Sequence, residues 1–141
     1  MASVILKNED KLEDKDKLGD KDKPMPKKIL IVDDDPDITK FLDVLFRHNG
    51  YETCIAVDGK KAMEVFIQEN PDLITLDLEM PEEWGPRFFR KLSKLKEFQT
   101  PVIVISGLSG RKFSIPKACA FFAKPFDAQE VLKKVREVLA E

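Results

Sequence analysis

The stretch "ILIVDDDPDI", Ile29 to Ile38, runs four apolar residues straight into three consecutive aspartates and a proline. A continuous apolar run of this kind suits a strand buried on both faces, as in a parallel sheet. Adjacent carboxylates repel, and a buried one is costly unless something compensates it. A core strand that ends in carboxylates therefore needs a partner for its charge. Asp35 is placed to cap a helix, with Pro36 at the first helical position. Ile38, Phe41, Leu42, Leu45 and Phe46 keep helical spacing until "NG" at Asn49-Gly50 ends the helix.

Strands and helices alternate outward from this unit. "YETCIAV" reads as a second strand and "GKKAMEVFIQEN" as a second helix, with Ala62, Val65 and Phe66 on one face. "DLITLDL" is a third strand, "RFFRKLSKLKEF" a third helix, "PVIVISG" a fourth strand, and "CAFFAKPF" holds a short fifth strand. Asp127 and Glu130 start a last helix in the manner of a capping box. Val131, Leu132, Val135, Val138 and Leu139 form its apolar stripe. The pattern predicts an α/β fold, a doubly wound five-stranded parallel sheet in the flavodoxin-like order 2-1-3-4-5. Ligands bind such sheets beyond the C-terminal ends of the strands. Asp33 and Asp34, Asp77, Ser106 and Lys124 all fall at those ends.

The chain has 141 residues, enough for one domain with a real core. Lys7 to Lys23 is a low-complexity run of mixed charge that cannot bury enough surface to offset its ordering entropy. Residues 1–26 are therefore expected to be a solvated tail and residues 27–141 the domain. A net charge of -2 gives no basic excess for nucleic acid. No apolar run approaches the ~18 residues of a membrane span. Cys54 and Cys119 match no metal or redox spacing and read as reduced thiols in a cytoplasmic protein.

With strands one and three adjacent, Asp33, Asp34 and Asp77 converge. Three carboxylates without a cation would force one to protonate. A hard divalent ion resolves this, and Mg²⁺ suits a few carboxylates plus waters. Lys124 adds a compact positive charge and Ser106 a hydroxyl. Such a pocket suits a phosphoryl group, with an aspartate as nucleophile.

At this point the motifs "ILIVDDDP", "PDLITLDLEMP" with Gly85, "PVIVISG" and "FFAKPF" matter together. In this order they make Lys28 to Glu141 resemble the receiver domains of two-component response regulators, the CheY-like family. The resemblance implies that Asp77 accepts phosphate from a histidine kinase or a histidine phosphotransfer protein. It implies Mg²⁺ held by Asp33, Asp34, Asp77 and the backbone carbonyl of Glu79, with Asp34 favoured over Asp33 as a direct ligand. It places Ser106 at the switch hydroxyl, Lys124 at the phosphate-binding lysine and Phe121 at the switch aromatic. It also implies a cis bond before Pro125. Asp35 is left to cap the helix.

Other residues read more plainly. His48 reads as a surface residue, Cys54 and Phe122 as core, Arg87 and Arg90 as surface charges, and Glu82 and Glu83 as a solvated loop. Trp84 stays open between packing and a partner-facing role. Seventeen residues separate Ser106 from Lys124, and Pro116 would break a helix there. The fourth crossover helix is thus expected to be short or missing. Gly107 stands where the family commonly has alanine. The expected function is a stand-alone, self-phosphorylating and self-dephosphorylating phosphoacceptor rather than an enzyme. It would be a monomer in a phosphorelay, signalling to an output protein by changed affinity. The alternatives are a receiver fragment of a larger regulator and an Asp-nucleophile, Mg²⁺-dependent phosphatase.

Overall fold

A computed structural model of the chain describes residues 25–80, 84–107 and 117–139. The described elements are β1 (Lys28–Val32), α1 (Pro36–His48), β2 (Glu52–Ala56), α2 (Gly59–Glu69) and β3 (Leu73–Leu76). They continue as α3 (Trp84–Ser93), β4 (Val102–Ser106), β5 (Ala120–Ala123) and α4 (Ala128–Leu139). All strand pairs are parallel, in the order β2-β1-β3-β4-β5. The doubly wound sheet expected from the alternation is the one observed. The expected tail lies almost wholly outside the described residues. So do Pro116 and most of the segment where a fourth crossover helix was expected to be short.

Strand residues alternate between two cores. Leu30, Val32, Ile74, Leu76, Val102 and Val104 face one side, against Ala62 of α2 and Phe88, Phe89 and Leu92 of α3. Ile29, Ile31, Leu73, Ile103 and Ile105 face the other, against Leu42 and Phe46 of α1 and Val131, Leu132 and Val135 of α4. The continuous apolar run of β1 is explained by this sandwiching. Phe46 and Phe88 are fully buried, and truncating either to alanine should cost about 3–5 kcal/mol.

Helix ends follow their local chemistry. Asp35 caps α1, its carboxylate accepting the Asp37 N–H at 2.9 Å, with Pro36 opening the helix. Asp58 caps α2 by accepting the Lys61 N–H, and Asn70 closes it in a left-handed conformation. Asp127 caps α4 through the N–H groups of Gln129 and Glu130.

The third helix differs from expectation at both ends. It begins at Trp84, before Arg87, because Pro86 sits in the first turn, where a missing N–H costs nothing. It stops at Ser93 rather than running to Phe98. Lys94, Leu95 and Phe98 donate to carbonyls three residues back, and Glu97 takes a positive φ of 63°. The apolar spacing of Leu95 and Phe98 continues through this tight turn, which made the helix look longer.

Two glycines hold α3 against its neighbours. A Cβ on Gly85 would lie 2.5 Å from Leu78 Cα and 2.6 Å from the Asp77 carbonyl oxygen. The first turn of α3 thus presses on the backbone that carries Asp77. Trp84 covers Gly59 at the start of α2, and Arg87 and Lys91 lie 5.0 and 4.9 Å from its ring centroid. Packing is thus one role of Trp84, whose half-buried ring sits between two helices beside two cationic side chains.

Candidate functional site

Strand register builds the site. Val32 and Leu76 are partners in the β1–β3 pair, so Asp33 and Asp77 leave the sheet side by side. The Asp77 N–H continues the ladder to the Val32 carbonyl at 2.9 Å, and the Asp33 N–H reaches the Ala56 carbonyl at 3.2 Å. Asp33 is 2% exposed and Asp77 3%, whereas Asp34 is exposed. Ligand oxygens of Asp33, Asp34 and Asp77 all lie within 4.8 Å of one another.

Lys124 follows β5 and reaches back across the ends of β4 and β3. Its Nζ lies 2.7 Å from Asp33 Oδ2 and 3.7 Å from Asp77 Oδ2. The other Asp33 oxygen accepts the Asp35 N–H at 2.9 Å. Burial pushes the Asp33 carboxyl above its ordinary range, opposing the pull of the Lys124 hydrogen bond in the other direction. Burial alone would lower Lys124. The Asp33 hydrogen bond and the Asp77 and Asp33 charges outweigh it and hold the ammonium above its ordinary value.

Ser106 is fully buried at the end of β4. Its hydroxyl donates to Asp77 Oδ1 at 2.8 Å and accepts the Leu78 N–H at 3.2 Å. Asp77 Oδ1 also accepts the Glu79 N–H at 3.0 Å. One acceptor oxygen is thus held by two donors, while Oδ2 faces Lys124.

Phe121 on β5 pairs with Val104 in register and packs, half-buried, on the α2–α3 core. Phe122 points to the opposite core and is likewise only half-buried, so neither is a pure core residue. The Lys124-Pro125 peptide bond is cis. Cys54 is half-buried against the α2–α3 core, and Cys119 is exposed. Glu82 and Glu83 lie outside the described residues.

The carboxylate set fits a hard divalent cation. Three convergent carboxylates, two of them almost fully buried, face a single ammonium among the described residues. The cluster keeps an excess of negative charge surrounded by oxygen donors, as Mg²⁺ requires.

Sequence reasoning missed one feature. The Glu79 side chain, considered only for its carbonyl, accepts the Gly107 N–H through Oε1 at 2.9 Å. The one signal for it was glycine at 107. A Cβ there would collide with Glu79 Oε1.

Comparisons with known proteins agree with this geometry. A family profile described as response regulator receiver domain matches residues 29–136. Protein Rrf1 of Nitratidesulfovibrio vulgaris is 37% identical over 117 residues, covering 82% of this chain and 85% of that protein. Sporulation initiation phosphotransferase F of Bacillus subtilis is 33% identical, covering 82% and 95%. A solved CheY-like receiver domain protein from Methanospirillum hungatei superimposes with a TM-score of 0.74 at 29% identity, covering 82% and 94%. The chain spans about half the length of several further curated relatives that it matches. No described helix is long and apolar enough to cross a membrane.

Proposed function

Because the chain belongs to the response regulator receiver-domain family, we propose that Asp77 takes a phosphoryl group from a histidine kinase or histidine phosphotransfer protein. The observation that carries this reading is the convergence of Asp33, Asp34 and Asp77 within 4.8 Å, beside the Lys124 ammonium. Asp77 Oδ1 is held by Ser106 and Glu79, so Oδ2 is the nucleophile. Oδ2 attacks phosphorus, the bond from phosphorus to the donor breaks, and the donor leaves with that electron pair. Lys124, 3.7 Å from Oδ2, balances charge on the phosphoryl oxygens with a small movement away from Asp33. When bound, Mg²⁺ neutralises phosphoryl charge, and Asp33, Asp34, Asp77 and the Glu79 carbonyl would hold it.

The signal follows from Ser106. Its hydroxyl now serves Asp77 Oδ1, and a phosphoryl oxygen on Oδ2 offers it a stronger acceptor. Phe121, half-buried two strand residues before Ala123, is positioned to follow. This is a two-state element biased by local charge. The domain, residues 27–141, would act as a cytoplasmic monomer in a phosphorelay. It would hydrolyse its own acyl phosphate and pass the signal on by changed affinity for an output protein.

The test is intact mass after incubation with acetyl phosphate and Mg²⁺. Wild type should gain one phosphoryl group and Asp77→Asn none. An acyl phosphate mapped to any other residue overturns the assignment.

A further inference from the structure

Glu79 and Gly107 join the segments that follow β3 and β4, immediately beside the acceptor. The Glu79 backbone N–H binds Asp77 Oδ1, while its carboxylate binds the Gly107 N–H, one residue after the buried Ser106. We propose that this carboxylate is a built-in anion gate, holding the Gly107 donor until an incoming phosphoryl group displaces it. The proposal rests on Asp77 being the phosphoacceptor.

Three observations support the gate. A backbone N–H next to the acceptor is a seat for a phosphoryl oxygen, and an intramolecular carboxylate competes for that seat with the same chemistry. The carboxylate can hold that N–H only because residue 107 is glycine, since a Cβ there would collide with Glu79 Oε1. Finally, Glu79 is exposed whereas Ser106 and Asp77 are buried, so the carboxylate can rotate into water while the acceptor stays fixed. Its charge also adds to that of three neighbouring carboxylates and repels an anionic donor.

Two variants separate the parts. Glu79→Ala removes the carboxylate but leaves the backbone carbonyl. Gly107→Ala keeps the charge but its Cβ pushes the Glu79 carboxylate off the residue-107 N–H, leaving that donor open, at low structural cost because the displaced atom ends a flexible side chain. The first readout needs neither metal nor donor: the solvent-exchange rate of the Gly107 amide by NMR in EDTA, for wild type and Glu79→Ala. Exchange should quicken about tenfold when the charge-assisted hydrogen bond is lost. The second readout is the initial rate of phosphorylation by acetyl phosphate with Mg²⁺. Both variants should be about tenfold faster than wild type, the lower end of what one hydrogen bond to a charged group is worth. Unchanged Gly107 exchange overturns the gate. So does faster exchange with equal phosphorylation rates in all three proteins. Uptake at one rate by all three leaves the acceptor assignment standing. Uptake by none overturns that assignment and the gate with it.

Discussion

Replacing Lys124 with methionine removes the ammonium that faces Asp33 and Asp77 while keeping most of the side-chain volume. The contacts are 2.7 Å to Asp33 Oδ2 and 3.7 Å to Asp77 Oδ2. At an effective dielectric of about 20, each pair represents about 4–6 kcal/mol of gross Coulomb attraction. The cost of desolvating the lysine disappears with it, so the net effect is smaller. Removing one partner of a fully buried pair costs about 3–5 kcal/mol. The Lys124 side chain is 22% exposed, and water will screen what remains. We expect a net loss of about 2–3 kcal/mol in metal-free protein, since Asp33 stays buried without its counter-charge. Divalent ion should then stabilise the variant more than wild type, because Lys124 no longer competes for Asp33. A tenfold tighter Kd adds about 1.4 kcal/mol at saturation. Urea unfolding followed by circular dichroism, in EDTA and in millimolar Mg²⁺, gives all four values. A loss under about 0.5 kcal/mol in EDTA would refute the view that Lys124 compensates a buried charge. Equal stabilisation of both proteins by Mg²⁺ would refute the competition for Asp33.

Two further outcomes follow from packing and burial. Gly85→Ala should cost about 2–3 kcal/mol in thermal or urea unfolding, since its Cβ meets only backbone, at Leu78 and Asp77. Gly50→Ala, with open space but a φ of 91°, should cost only about 1 kcal/mol, and equal losses would contradict this reading of Gly85. Iodoacetamide near neutral pH should label exposed Cys119 first. Burial pushes the Cys54 thiol up to about 11, so its labelling should rise only as the pH approaches that value. Peptide mass mapping that finds both cysteines labelled at one rate near neutrality would refute the difference.

The parts of the fold that could be read in advance were those governed by periodicity. β1 is apolar at every position after Lys28 because both faces are covered, and α1 shows its core face in Leu42 and Phe46. The convergence of Asp33, Asp34 and Asp77 needed one topological assumption, the adjacency of β1 and β3, which the register supplies. The misread and unread parts depend on contacts between segments distant in sequence. Helix α3 starts early because Pro86 is tolerated in its first turn and Gly85 lets that turn settle on Leu78; the proline is a local signal, but the contact with Leu78 is not. The pairing of Lys124 with Asp33, which the sequence reading did not specify, depends on the reach of a side chain across two intervening strands. Glu79 meets Gly107 across 28 residues, and only the missing Cβ hinted at it.

The central place of β1 has a consequence for the order in which the molecule is assembled. β1 pairs with both β2 and β3, so both of its strand partners are complete once the chain has been made as far as Leu76. A chain emerging from the ribosome folds from its N-terminal side as units become complete. Asp33, Asp34 and Asp77 can therefore meet while Lys124 has yet to be synthesised. A nascent half-sheet would carry its least compatible charges together, a local conflict that the finished protein eases with the lysine that follows its fifth strand. Until Lys124 emerges, a divalent cation at these carboxylates would supply the counter-charge that the lysine later provides.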